Sequence, residues 1–203
     1  MTAPSLQSAA VLRERLDAAY PESAGSGEVS IVRAPGRVNL IGEHTDYNGG
    51  FVLPVAIDLE VRLAVSRSDK PRVRLTRTDD GTSASIDLAD LPPPGDEWHD
   101  YVTGTAWALQ EAGQPTIGFD GVLASTVPIG AGLSSSAALE MAAAWALSGA
   151  DGPQLPPLEV AKLAQRAENE HVGVMCGLMD QFASACGVAG HALLLDCRST
   201  QWR

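Results

Sequence analysis

The chain has 203 residues, with 25 acidic against 14 basic side chains and a formal net charge of -11. Because the basic residues are scattered along an acidic chain, the composition disfavours nucleic acids and anionic membranes as partners. A content of 45% hydrophobic and 19% charged residues is typical of a folded globular protein, and one compact unit is the simplest organisation.

The N-terminal segment from Met1 to Tyr20 is predicted to form an amphipathic helix. Its apolar residues at helical spacing are Val11, Leu12, Leu16 and Tyr20. Charged residues interrupt this segment, which is not typical of a secretory signal, and no uncharged apolar run reaches the roughly 20 residues needed to span a bilayer. We therefore expect a cytoplasmic location.

The first half is predicted to be rich in strands. After a Gly/Ser loop at Pro21–Glu28, a strand begins at Val29 and is broken after Arg33 by a turn or bulge at Ala34-Pro35-Gly36. Further strands are predicted at Phe51–Ile57, Leu59–Ser66, Arg72–Thr76 and Ser85–Leu88, with a turn at Asp79-Asp80-Gly81.

The second half mixes helices with strands. Helices are predicted at Glu97–Ala112, from the Ser134-Ser135-Ser136 run to near Gly149, from Leu158 to about His171, and at Leu178–Ala185. Strands are predicted at Ile117–Val127 and Ala192–Asp196, and a bend at Gly173–Gly177. Since the elements do not alternate regularly as βαβ units, the pattern favours an α+β fold.

A polar loop follows the first strand and collects hydrogen-bonding side chains. Glu43, His44, Asp46 and Asn48 lie within six positions of one another. Such a set suits a polyhydroxylated sugar, whose buried hydroxyls all need partners. The alternative is a solvated turn in which Asp and Asn serve turn geometry.

A glycine loop at Pro128–Gly132 leads into Ser134-Ser135-Ser136 and a helix. Glycines let the backbone approach an anion, and the unpaired first-turn N–H groups and the helix dipole attract it, so this unit predicts phosphate binding. No Gly-Lys-Ser/Thr follows, so it is not a Walker A loop. The alternative is a turn with a serine N-cap, although three serines exceed what a cap requires.

Two carboxylates in the last third are candidates for phosphoryl-transfer chemistry. Glu168 lies late in one predicted helix, and Asp180 lies in the first turn of the next, where the helix dipole favours its ionised form. A carboxylate base and a carboxylate metal ligand are what transfer to an alcohol would use. The alternative for each residue is a solvated helix charge.

Together these segments resemble the galactokinases, within the larger GHMP group of small-molecule kinases. The resemblance rests on the run from Gly36 to Asn48, on Pro128–Ala138 and on Cys176–Gln181, and it extends from about Val29 to Arg198. It implies the N-terminal domain of GHMP kinases, a fold like domain 2 of ribosomal protein S5 with a mixed sheet and helices. It also implies ATP-dependent phosphorylation of D-galactose at its C1 hydroxyl.

The resemblance implies a role for each matched residue. Arg37 and Asp180 would be catalytic, with Arg37 holding Asp180 ionised at the anomeric hydroxyl. Galactose would be bound by Glu43, His44, Asp46 and Gly177. ATP would be bound by Trp98, stacked on adenine, and by the phosphate loop Gly130, Ala131, Gly132, Leu133, Ser134, Ser135 and Ser136. Mg²⁺ would be held by Ser136 and Glu168.

Galactokinases are close to twice this length, so residues 1–203 are expected to be the N-terminal domain, with the C-terminal GHMP domain missing. We therefore expect little ordinary turnover from the chain alone. The oligomeric state is left open. The alternatives are an N-acetylgalactosamine kinase, a non-catalytic galactose and ATP sensor, and an inert half-protein; the complete Ser134–Ala138 segment argues against a sensor that has lost part of the phosphate loop.

The cysteines form no recognisable metal motif. They are Cys176, Cys186 and Cys197. An odd number without paired ligand spacing predicts reduced structural thiols.

Overall fold

The computed structural model describes residues 7–23 and 28–203. The helices are α1 (Ala9–Ala19), α2 (Asp100–Glu111), α3 (Ser135–Ser148), α4 (Pro157–Arg166), a π-helical turn (Ala167–Val172) and α5 (Met179–Cys186). The strands are β1 (Val29–Asn39), β2 (Phe51–Val52), β3 (Pro54–Ser68), β4 (Arg72–Arg77), β5 (Ser83–Asp87), β6 (Gly118–Ser125), β7 (Leu195–Asp196) and β8 (Gln201–Trp202).

The main sheet has five strands in the order β1-β3-β6-β4-β5. Its pairs are antiparallel except for β4 and β6, which run parallel. A smaller sheet joins β2, β7 and β8 and lies beside the loop that follows β1. The predicted α+β class and mixed sheet are confirmed.

Helices cover the two faces of the main sheet because side chains along a strand alternate between faces. On one face, Leu12 and Leu16 of α1 pack with Ala64 and Val122. On the other, α2, α3, α4 and α5 bury the larger core around Leu63. The predicted stripe on α1 is correct except at Val11, which is exposed; residues 1–6 of that predicted helix lie outside the described residues.

The two strands predicted at Phe51–Ile57 and Leu59–Ser66 are a wrong division of the chain. Phe51 and Val52 pair with β7 in the smaller sheet, whereas Pro54–Ser68 is one strand that pairs with both β1 and β6. Asp58 interrupts the apolar pattern without interrupting the strand, since its side chain is exposed to solvent. Polarity at one position therefore does not predict a strand end.

Smaller differences concern where elements end. The predicted helix to His171 is divided into α4 and the π-helical turn, and α2 begins at Asp100 instead of Glu97. The Asp100 carboxylate accepts hydrogen bonds from the N–H groups of Gly95 and Glu97, which holds the preceding turn outside the helix. The cysteines are free thiols, as predicted.

Among residues 7–23 and 28–203, no helix combines the length and the apolar character needed to cross a membrane.

Candidate active site

Three polar side chains meet at the centre of the site. Arg37 Nε donates to Asp180 Oδ1 over 2.8 Å, and Arg37 Nη2 lies 2.5 Å from the same oxygen. Ser134 Oγ donates to the other carboxylate oxygen, Oδ2, over 2.6 Å. The Arg37 and Asp180 side chains are only 12% and 23% exposed, so this ion pair is partly shielded from water and interacts more strongly than one at the surface.

A β-bulge positions Arg37. The register of β1 against β3 shifts between Pro35 and Arg37, which is what an extra residue in one strand produces. Gly36 lies in the bulge, and a Cβ there would be 2.6 Å from the carbonyl oxygen of Leu133. The Arg37 N–H donates to that oxygen over 3.2 Å, and Arg37 Nη1 donates to Gly132 O over 2.7 Å. The bulge thus joins β1 to the glycine loop.

The loop between β1 and β2 is held by its own hydrogen bonds. The Thr45 hydroxyl lies 2.7 Å from two carbonyl oxygens, those of Gly42 and Phe51. Asn39 Nδ2 donates to Glu43 Oε1 over 3.1 Å, which orients that carboxylate. His44 has a φ of 62° and its Nδ1 lies 2.6 Å from the Tyr47 hydroxyl. Glu43 and His44 therefore present polar atoms at an exposed but ordered rim.

Asp46 is packed against the segment that precedes α5. A Cβ at Gly177 would overlap the Asp46 carboxylate. A glycine is required there because the backbone and the carboxylate approach so closely. Asp46 and Gly177 thus lie in contact although 131 positions separate them in the chain. Gly177 is three residues before Asp180, so this contact brings the polar loop close to the Asp180 segment.

The glycine loop ends at the N-terminus of α3. Gly130 and Gly132 have positive φ angles of 72° and 69°, and Ser134 is left-handed at 58°. Ser134 occupies the N-cap position, yet its hydroxyl bonds Asp180 and makes no cap hydrogen bond. The first-turn N–H groups of α3 thus have no side-chain cap at their N-cap residue, which disfavours the simple N-cap alternative and preserves an anion-attracting helix end.

A cavity of about 450 Å³ opens beside this loop. It is lined by Trp98, Ile129, Ser135 and Ser136, together with Arg77 and Tyr101. The predicted adenine-binding tryptophan and the loop serines therefore face one space. Arg77, whose guanidinium lies 5.9 Å from the Trp98 ring centroid, and Tyr101 were missed, because neither belongs to a local motif.

Glu168 lies in the π-helical turn and is only 4% exposed. Its Oε2 accepts hydrogen bonds from Gln181 Nε2 at 2.6 Å and from the Cys176 thiol at 3.1 Å, and the Ser136 hydroxyl lies nearby. Burial raises the pKa of Glu168, although these bonds oppose the rise. The alternative of a solvated helix charge is wrong for Glu168, and the predicted pair Ser136 and Glu168 is in contact.

Two further polar residues beside Glu168 were missed. Glu140 and Gln181 are completely buried, and Gln181 Nε2 donates to Glu140 Oε2 over 3.0 Å. Burial, followed by the nearby charge of Glu168, raises the pKa of Glu140 well above its usual range. The available signal was Glu140 itself, the one charged residue in the helix Ser135–Ser148.

This arrangement suits proton removal beside an anion site. Asp180 has one oxygen directed to a cation and one to a hydroxyl, so it can accept a proton from a bound alcohol. The helix end and glycine loop lie next to it, and a developing negative charge would meet N–H groups and Arg37. Among residues 7–23 and 28–203, no three His, Cys, Asp or Glu side chains are grouped as metal ligands.

Two family descriptions match the chain. The galactokinase galactose-binding signature matches residues 18–67, and the N-terminal domain of GHMP kinases matches residues 100–188. Both matches contain the residues that meet in the site, since Arg37 and the β1–β2 loop fall in the first, and Ser134 and Asp180 fall in the second.

Curated relatives and solved structures agree with these matches. Galactokinases from Streptomyces coelicolor and a Roseiflexus species are 50% and 46% identical over 91% and 95% of this chain, and 48% of each relative is covered. The Lactococcus lactis galactokinase structure, complexed with galactose, has a TM-score of 0.83 at 33% identity over 94% of this chain and 50% of that one. Mevalonate kinase from Methanococcus jannaschii has a TM-score of 0.70 at 26% identity over 87% of this chain and 56% of that one. The chain spans about half the length of the curated relatives it matches.

Proposed function

Because the chain belongs to the galactokinase branch of the GHMP kinases, we propose that it serves ATP-dependent phosphorylation of D-galactose at the C1 hydroxyl, which yields galactose 1-phosphate. The observation that carries this proposal is the contact of Asp180 with both Arg37 and Ser134. That contact places a carboxylate between the polar β1–β2 loop and the glycine loop. A cytoplasmic location remains a prediction.

In the proposed reaction Asp180 is the base. The anomeric oxygen forms a bond to the γ-phosphorus as the bond from phosphorus to the ADP oxygen breaks, and the hydroxyl proton passes to Asp180. The Arg37 guanidinium pairs with the carboxylate before the reaction and offsets the negative charge that develops during it. The contact from Arg37 to Gly132 O keeps this cation beside the phosphate loop.

The sugar would lie against the β1–β2 loop. Glu43, His44 and Asp46 supply carboxylate and imidazole partners for hydroxyls, and the close approach of Asp46 to Gly177 brings the backbone before α5 within reach of the same ligand. A site built to pair each hydroxyl discriminates strongly against analogues that leave a buried polar group unpaired. This supports a sugar substrate over the alcohols used by other GHMP kinases.

ATP would occupy the cavity beside Trp98, with its phosphates on the loop from Gly130 to Ser136. Mg²⁺ fits the pair formed by Ser136 and Glu168, because hydroxyl and carboxylate oxygens are the donors it prefers and it usually takes only one or two carboxylates from the protein. When bound, the ion would neutralise charge on the transferred phosphoryl group. The Ser136 hydroxyl lies beside the buried Glu168 carboxylate and opposes the rise that burial causes in its pKa, which favours the charged form that a cation needs.

The test is calorimetric binding of galactose and of MgATP to the 203-residue chain, together with ADP release. Since the chain spans half of its relatives, ADP release is also measured in a fusion to the C-terminal half of Streptomyces coelicolor galactokinase. We expect galactose to bind more tightly than glucose and N-acetylgalactosamine, and galactose-dependent ADP release in the fusion. Preferential turnover of N-acetylgalactosamine, or galactose binding without any turnover in the fusion, would contradict the proposal.

A further inference from the structure

A buried hydrogen-bonded bridge lies directly behind the proposed cation ligand. The Gln181 side-chain nitrogen donates to Glu168 Oε2 over 2.6 Å and to Glu140 Oε2 over 3.0 Å. An amide nitrogen has two protons, so both are used, one on each carboxyl group. Turning the amide over would place its oxygen against Glu168 Oε2, which also accepts from the Cys176 thiol, so the nitrogen is the group that suits this contact.

The bridge is unusual for a protein interior. Glu140 Oε1 and Gln181 Oε1 are buried without a hydrogen-bond partner among the described residues. A buried oxygen left without a partner is unfavourable, and apolar side chains of similar size would avoid that loss. Glu140 lies in α3, whose buried positions are otherwise mainly Ala, Leu and Met. Packing alone therefore does not explain Glu140 or Gln181.

The bridge joins three segments that contribute residues to the candidate site. Glu140 lies in the same helix as Ser136, one turn later, so it is fixed relative to the loop. Gln181 directly follows Asp180 in α5. Glu168 comes from the π-helical turn, a rare conformation that is frequent at functional sites. The amide thus connects the three segments that contribute the serine, the proposed base and the proposed cation ligand.

We propose that Gln181 is a positioning residue which, anchored on Glu140, fixes the Glu168 carboxylate for the cation that accompanies ATP. The inference rests on the proposed function, in which Glu168 and Ser136 hold Mg²⁺. Partners of metal ligands orient those ligands, and their loss typically weakens metal binding by about 10- to 100-fold.

The experiment measures, with the 203-residue chain, the Mg²⁺ concentration that gives half-maximal binding of a fluorescent ATP analogue. We expect Gln181→Leu to raise that concentration by about tenfold or more. Glu168→Gln should raise it similarly, and the double variant should be no worse than Glu168→Gln, since residues that act as one unit are not additive. Galactose affinity serves as the check that each variant is folded.

A matched control separates positioning from stability. Gln110→Leu removes a partly buried amide that donates to Leu88 O and Thr116 Oγ1 in another part of the fold. It should lower the melting temperature without moving the Mg²⁺ dependence. Glu140→Gln retains a carbonyl acceptor for Gln181 and should behave like the unmodified chain. If Gln181→Leu does not fold, Gln181→Met removes the same donors with a flexible side chain.

Two results would overturn the inference. One is an unchanged Mg²⁺ dependence in Gln181→Leu or Gln181→Met, and the other is a double variant whose loss is the product of the two single losses. Absence of any Mg²⁺-dependent nucleotide binding by the unmodified chain would instead remove the proposed function, and the inference with it.

Discussion

Replacement of Asp180 by Asn tests the proposed base. Both neighbours of the Asp180 carboxylate are donors, with Arg37 Nε at 2.8 Å and Ser134 Oγ at 2.6 Å. Asn offers one oxygen, which can still accept from Arg37, and one NH₂ group, which can donate to the Ser134 hydroxyl, so the side chain can keep its place while the basic oxygen is lost. The substitution also removes the negative charge opposite Arg37, and hydrogen bonds to charged groups contribute about 1.5–3 kcal/mol each.

The expected kinetic effect follows from the role of the carboxylate. Loss of a general base typically costs about 10² to 10⁴ in rate, or roughly 2.7 to 5.5 kcal/mol of transition-state stabilisation. We therefore expect Asp180→Asn to lower kcat at least about a hundredfold, with a modest change in galactose affinity. Ser134→Ala retains the charge and should lose less.

The assay is galactose-dependent ADP release from MgATP by the fusion to the Streptomyces coelicolor C-terminal half, with galactose affinity measured by calorimetry. Asp87→Asn is the matched control, because Asp87 is exposed at the end of β5 and its side chain accepts only from the Ala89 N–H among its described contacts. Near-normal turnover of Asp180→Asn would show that another group accepts the proton. A hundredfold loss in Asp87→Asn as well would show that the assay reports folding.

Three further outcomes are expected. Gly177→Ala should weaken galactose binding about tenfold or more in calorimetry, because the new methyl group overlaps the Asp46 carboxylate. An unchanged galactose affinity would show that the contact between Asp46 and Gly177 is not part of the sugar site. Burial alone would raise the pKa of Asp120, but hydrogen bonds from Arg74 and Ser23 lower that pKa overall. The ionised carboxylate therefore stabilises the folded state fully above the unfolded-state pKa of about 4. This stabilisation is lost as the pH falls through the lower folded-state pKa. Asp120→Asn should therefore flatten the acid side of the melting-temperature profile, and equal slopes in the two proteins would refute that account. The 203-residue chain assayed alone should show no ordinary turnover and should tend to associate in light scattering. The reason for association is its exposed apolar side chains: Ile41 (69% exposed), Phe51 (62%), Ile129 (77%) and Met175 (81%). A monomer with about 1 to 1,000 turnovers per second would contradict this expectation.

Local sequence patterns predicted the parts of the site that lie within one segment. The acidic and amide residues after β1, the glycine loop before α3 and Asp180 at the start of α5 are each recognisable within a few positions. They could be predicted because turn formation, helix N-termini and hydrogen-bonding capacity depend on neighbouring residues. The α+β class followed from the order of these elements for the same reason.

Contacts between distant positions could be settled only by the tertiary structure. Arg37 and Asp180 are 143 positions apart, and they meet because a bulge in β1 and the packing of α5 bring them together. The burial of Glu140 and its bridge through Gln181 depend on three segments packed at once. The local periodicity of hydrophobic residues does not predict such contacts, because the contacts depend on how whole helices and strands pack.

The sequence by itself therefore determined which residue types are available for binding a sugar and phosphate, and on which local elements they lie. The tertiary structure decided which of them share a site: Ser134 bonds Asp180 instead of capping its helix, and Glu168 is a buried carboxylate instead of a solvated charge. The physical reason is that local conformation depends on near neighbours, whereas burial and the pairing of polar groups depend on the packing of the whole chain.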